Sequence, residues 1–177
     1  MKHNWDYNKL PYDKVRKSKV RAEGVLGERL FKAAMKNRGW EVVKSSDRED
    51  IKDHIDFWVV KGDKRHSFDV KSTAYRRCIW LEIQNVQGND GWLKGKAEYI
   101  AFNMIEDGCF ATVKREDLLD WWEKNVSDEF VNDRRDAYKK QYNREDNNEI
   151  ISKVYLEDLQ SLPFYAEIPL FSHSRTP

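Results

Sequence analysis

The sequence predicts an α/β (α+β) fold in which helices flank a central mixed β-sheet. Three observations carry that expectation. Residues 20–38 place apolar side chains at helical steps. Residues 54–71 read as two short strands around a Gly62-Asp63 turn, and residues 97–104 and 109–114 read as two more strands on either side of Asp107-Gly108.

Length and composition bound the answer. The chain has 177 residues, which suits one domain with one core. Its 40% hydrophobic and 13% aromatic content is enough to bury that core, so wholesale disorder is not expected. Charged residues reach 36%, yet the net charge is only +1, so overall electrostatics announce no polyanion partner and only local patches could. Cys78 and Cys109 match no metal spacing and read as reduced thiols of a cytosol-like, cytoplasmic setting. The first ten residues lack the apolar run of a signal peptide, and no stretch approaches a membrane span. No membrane partner is expected.

Taken in order, residues 1–19 form a basic arm. Across residues 1–21 seven Lys and Arg side chains, Lys17 and Lys19 among them, face two Asp, with Trp5, Tyr7 and Tyr12 interleaved. Such a segment suits phosphate neutralisation and base stacking, or a solvated tail pinned by its aromatics. The helix over residues 20–38 repeats Leu26, Leu30, Ala33, Ala34 and Asn37 and stops at Gly39, with Glu28 about 200° from the Leu26/Leu30 stripe. Residues 40–44 read as a strand and residues 45–50 as a polar loop. Residues 79–86 read as a strand whose Glu82 or Gln84 would join a polar face if it paired beside the strand ending at Lys71. Residues 87–91 read as a loop, and residues 116–125 as an amphipathic helix carrying Leu118, Leu119, Trp121 and Trp122. Residues 127–149 hold seven acids and five bases and read as an exposed, partly helical excursion. Residues 112–118 and 153–159 share a strand running into Glu-Asp-Leu, which predicts two strand-to-helix connections of similar build.

The chemistry concentrates in the hairpin. Alternation along a strand sends Asp69 and Lys71 to one face and Phe68 and Val70 to the other, and Asp56 lies on the neighbouring strand. Two carboxylates with an ammonium beside them suit a hard divalent cation, Mg²⁺ with Mn²⁺ as substitute, and the Val70 carbonyl is a further candidate ligand. A metal at a phosphodiester lowers the pKa of a bound water and offsets charge on phosphorus. A lysine acting as base needs a depressed pKa, whereas neighbouring carboxylates push it up, so Lys71 is expected to orient the water and stabilise charge. His54 and His66 flank the hairpin and read as exposed strand ends. The four histidines show no zinc spacing, and no phosphate-binding or dinucleotide glycine motif occurs.

Asp56, then Asp69-Val70-Lys71 thirteen residues on, preceded by a helix with Gly27-Glu28-Arg29, resembles the PD-(D/E)XK nuclease superfamily. The match covers about residues 20–104, and residues 80–93 look similar to small phage-type, resolvase-like members. The resemblance implies a restriction-endonuclease-like αβββαβ core over residues 20–114, with residues 115–177 as a helical and strand extension. It implies Asp56, Asp69 and Glu28 as metal ligands, Lys71 as the catalytic lysine, and Gln84 as the glutamine that several branches place on the next strand. Ile55 stands where the superfamily's name has proline.

The function expected is therefore a Mg²⁺-dependent endonuclease of DNA, with metal-activated water attacking phosphorus directly. Arg76, Arg77, Lys94 and Lys96, on loops after the active strands, would position the phosphate backbone together with Lys17 and Lys19. A homodimer fits, because two sites cut two strands most simply. The alternative is a non-catalytic nucleic-acid-binding or protein-interaction module on the same fold.

Overall fold

The computed structural model describes residues 12–72, 77–144 and 147–171, with side chains from residue 21 onward (Ile105 apart). In order the chain lays down α1 (Tyr12–Lys36), β1 (Glu41–Lys44), β2 (Phe57–Lys61), β3 (Lys64–Lys71), β4 (Cys78–Gln84), β5 (Tyr99–Met104), β6 (Cys109–Lys114), α2 (Arg115–Asn125), β7 (Ser127–Val131), β8 (Lys140–Tyr142), β9 (Ile150–Tyr155), α3 (Leu156–Leu159) and β10 (Tyr165–Pro169). Among the described residues no helix is long and apolar enough to cross a membrane.

A mixed six-stranded sheet is the centre, in the order β1-β2-β3-β5-β6-β10. Its neighbours run antiparallel except β3 and β5, which are parallel. Both expected hairpin turns form, with Gly62 and Gly108 each at φ +62°. One face of the sheet packs on α1 through Phe31, Met35, Val42, Phe57, Val59, Phe68, Val70 and Phe110. Phe31 is the hub, with ring centroids 5.0 Å from Phe68, 5.4 Å from Phe110 and 5.9 Å from Phe57. The opposite face packs on α2 and on a second, four-stranded sheet, order β4-β9-β8-β7, through Ile79, Leu81, Trp92, Ile100, Phe102, Leu118 and Val154.

Four expectations need correction. The first helix begins at Tyr12, so the basic arm is helical from there on; Lys17 and Lys19 lie on this helix, their side chains outside the described residues. Its buried stripe is Gly27, Phe31, Ala34 and Met35, while Leu26 is 50% exposed. Gly27 sets this rotation, because a Cβ there would stand 1.7 Å from Ser72 Oγ and 2.9 Å from Ser72 Cβ. Only glycine lets the helix backbone lie so close to the end of β3.

The strand after the hairpin does not lie beside β3. That place belongs to β5, which is buried at all its positions, as a strand covered on both faces must be; β4 alternates and suits a sheet with one covered face. Residues 127–149 are no helical excursion either. They supply β7 and β8, and Ala137 and Glu149 are fully buried. Their charges are largely matched within the segment, by Lys140 to Glu129, Arg135 to Asp133 and Arg144 to Glu149, which a sum over the window hides. Finally, the polar loop at residues 45–50 is partly ordered. Glu49 accepts hydrogen bonds from the Ser46 amide and hydroxyl and from Trp58 Nε1, and opens a π-helical turn, Glu49–Asp53.

The repeated Glu-Asp-Leu does mark two strand-to-helix connections, β6 into α2 and β9 into α3. Leu118 and Leu159 are both fully buried there.

Candidate functional site

The site grows from the register of the β2–β3 ribbon. Phe57 pairs with Phe68 at the last regular position, and Asp56 and Asp69 follow at the end of the ribbon. The Asp56 amide donates to the carbonyl of that same Phe68 at 2.8 Å, so the regular ladder ends there. Asp69 alternates with Phe68 and Val70 of the α1 layer and so stands on the side away from α1, and the Asp56 carboxylate reaches its neighbourhood. The Val70 amide donates to Asp56 Oδ2 at 2.7 Å, fixing that carboxylate, while the Val70 side chain lies in the α1 layer. Lys71, two residues beyond Asp69, returns to the same face and sets its Nζ 2.8 Å from Asp69 Oδ2.

Asp69 is the unusual member. It is 2% exposed, and its Oδ2 accepts no aligned hydrogen bond although the Lys71 ammonium is near. Burial pushes its carboxyl up to about 7; Lys71 pulls it down and the facing Asp56 pushes it up further. A buried acid met by one ammonium, with a second acid near it, suits a cation or a proton.

On the α1 side of Asp56, Lys44 at the end of β1 sends its Nζ 3.2 Å from Glu28, 3.3 Å from Asp50 and 3.8 Å from Asp56 Oδ1. Its ammonium also lies 5.0 Å from the centre of the Phe57 ring. Burial lowers the Lys44 pKa, but the Asp56, Glu28 and Asp50 carboxylates outweigh it and hold the pKa above the ordinary lysine value. Glu28 thus reaches the neighbourhood of Asp56 through Lys44. It does so because it sits next to Gly27, where α1 lies against Ser72 just past the end of β3.

On the other side the chain between β4 and β5 closes over Lys71. The ammonium lies 5.1 Å from the centre of the Trp92 ring. Burial raises the Glu82 pKa, against the opposing pull of Lys71 and of a hydrogen bond from the Trp92 main chain. Gly91 makes room for Glu82, since a Cβ there would stand 2.9 Å from Glu82 Cγ. His54 closes the remaining edge. Its backbone is left-handed at φ +54°, and burial, with the Lys71 charge, holds its pKa below the ordinary value. A Cβ on Gly95 would stand 2.8 Å from His54 Cβ, so the Trp92–Lys94 turn and the residue-54 turn are in close contact.

The ribbon therefore unites Asp56, Asp69 and Lys71, with Glu28 one ammonium away. Gln84 is not among them: its amide donates to the Asn148 carbonyl at 2.6 Å in the second sheet, because β4 left the first. Arg77 is committed to Asp107 at 2.8 Å and Glu157 at 2.5 Å, Lys94 lies 3.4 Å from Asp90, and Lys96 lies 2.8 Å from Asp53. Arg76 lies outside the described residues. His66 is a partner of Glu98 at 2.8 Å, on the α1 side of the ribbon. Lys44 and Trp92 are neighbours that the sequence reading did not name; Glu82 was expected at the polar face only through pairing of its strand beside β3, and His54 was read as an exposed strand end that could line the cleft. For His54 a local signal existed, two residues before Asp56; for Glu82 the alternation of residues 79–86 held one.

Among the described residues no three Asp, Glu, His or Cys side chains converge as a ready-made metal cluster. The donor set nearest to one is the facing pair, Asp56 and Asp69. No protein family, curated protein or solved structure shows a significant match to this chain.

Proposed function

We propose that the chain is a Mg²⁺-dependent endonuclease acting on DNA, a divergent relative of the PD-(D/E)XK nucleases. The observation that carries this reading is the nearness of Asp56 to the buried Asp69, with Lys71 at 2.8 Å from the latter. The succession of α1, three antiparallel strands and then a parallel strand against the acid-bearing one also supports it.

The residues present fit a hard cation. Asp69 and Asp56 lie close together with only the Lys71 ammonium against the buried Asp69 oxygen, and Mg²⁺ is commonly held by one or two carboxylates together with water and substrate phosphate. Mg²⁺ held there would activate a water and offset charge on the phosphoryl group. The chain's own groups do the remainder. The Val70 amide fixes the Asp56 carboxylate. Lys71, held between Asp69 and the Trp92 ring, presents an ammonium where negative charge develops on phosphorus, in a position set before substrate arrives. Trp92 and His54 limit water at the inner edge, so that charge is felt strongly.

Nicking of supercoiled plasmid tests the proposal. The wild-type protein is expected to cut with Mg²⁺ or Mn²⁺ and to stop with chelator, and Asp69→Asn and Lys71→Ala should each lose at least ~100-fold in rate. A wild-type protein that retards DNA in gels yet cuts no supercoiled, branched or single-stranded substrate would instead be a non-catalytic nucleic-acid-binding module.

A further inference from the structure

Lys44 is where the proposed site departs from a simple acidic cleft. Three carboxylates from three separate elements, Glu28 of α1, Asp50 of the π-helical turn and Asp56 before β2, surround one ammonium at 3.2, 3.3 and 3.8 Å. Lys44 reaches them because it ends β1 opposite Phe57, on the α1 face, and its ammonium lies against that ring. Asp56 is thereby divided. Its Oδ2 is bound by the Val70 amide and its Oδ1 faces Lys44, while the Asp69 and Lys71 pair lies across the ribbon.

Phosphodiester cleavage with two divalent ions needs carboxylates on both sides of a bridging acid, with the ions about 4 Å apart. Asp56 lies between Asp69 on one side and Lys44 with its carboxylates on the other. On its far side the position is filled by an ammonium. We propose that Lys44 is a built-in cation in the place of a second divalent ion, so that the site works with one metal ion, between Asp56 and Asp69. This inference rests on the nuclease reading above. An ammonium supplies a single fixed charge and three N–H donors, with no exchangeable water. The nucleophilic water must then come from the Asp56–Asp69 side, next to Lys71, and Glu28 serves to hold Lys44 rather than to bind metal.

Ammonium-to-oxygen distances of 3.2–3.8 Å are too long for ligation of Mg²⁺, which requires about 2.1 Å. With the ammonium removed, the half-exposed Glu28 and Asp50 side chains are free to close on an ion. The test is the number of Mn²⁺ ions taken up by the full chain, read from the loss of the free Mn²⁺ resonance signal and from calorimetry, with no nucleic acid present. The wild-type protein is expected to take up one ion below millimolar concentration, and Lys44→Gln two. Lys44→Arg, which keeps the charge, should remain at one, and Lys44→Gln combined with Glu28→Gln should return to one. Lys44→Met, which keeps the apolar stem over Phe57, gives the same count should the glutamine variant fold poorly. Two ions in the wild-type protein, or one in both uncharged Lys44 variants, would overturn this inference and leave the nuclease reading standing. No ion in the wild-type protein would remove both.

Discussion

Asp69 carries the most consequential single titration. Its carboxyl is raised from 3.8 to about 7 in the folded protein, chiefly by burial. Between those values the native state holds a proton that the unfolded chain has released. Stability therefore falls as pH rises from about 4 to about 7 and is level above, with a ceiling of about 4 kcal/mol for this group. Asp69→Asn should accordingly raise the melting temperature at pH 8 and change it little at pH 4. A melting curve that moves equally at both values would contradict the assignment. Mg²⁺ should stabilise the wild-type protein at pH 8 and lose that effect in the variant. The residues of this pair were legible in the sequence because a short ribbon with a two-residue turn fixes register and face together. Lys44 was not, and Glu82 and His54 were only partly so, because each reaches the site from an element whose neighbour no local pattern specifies.

At the scale of elements, α1 shows how one missing side chain positions a helix. The periodic Leu26, Leu30 and Ala33 suggested the wrong face, whereas the glycine at residue 27 defines the contact. Gly27→Ala would drive a Cβ into Ser72 and should cost about 1–3 kcal/mol by urea denaturation, the range for overpacking a fitted contact. It should also loosen Glu28 from Lys44. A neutral result would mean that Ser72 turns aside freely. The hairpins, α2 and the two strand-to-helix connections were readable, since turn glycines and apolar period mark them locally. The placement of β4 was not, because two strands with similar β propensity compete for one slot and burial on both faces decides between them.

Across the whole molecule, the charge-rich stretch before β9 is structural. Glu149 is fully buried and accepts hydrogen bonds from the Arg144 amide and guanidinium, beside Glu82 of β4. Glu149→Ala leaves that guanidinium without its buried partner. The expected cost is about 2–3 kcal/mol in chemical denaturation, short of a fully buried broken pair because Arg144 is half exposed and can turn to water. Composition alone marked this region as solvated, and nothing in a charge tally distinguishes a matched buried pair from an exposed one.

The route of the chain between its two sheets has a further consequence. It leaves the first sheet after β3, starts the second with β4, and comes back as β5, while the partners that complete β4 and β6 are β9 and β10. The second layer thus waits for Ile150–Tyr155 and the first for Tyr165–Pro169, pairings across long stretches of sequence whose closure entropy slows folding.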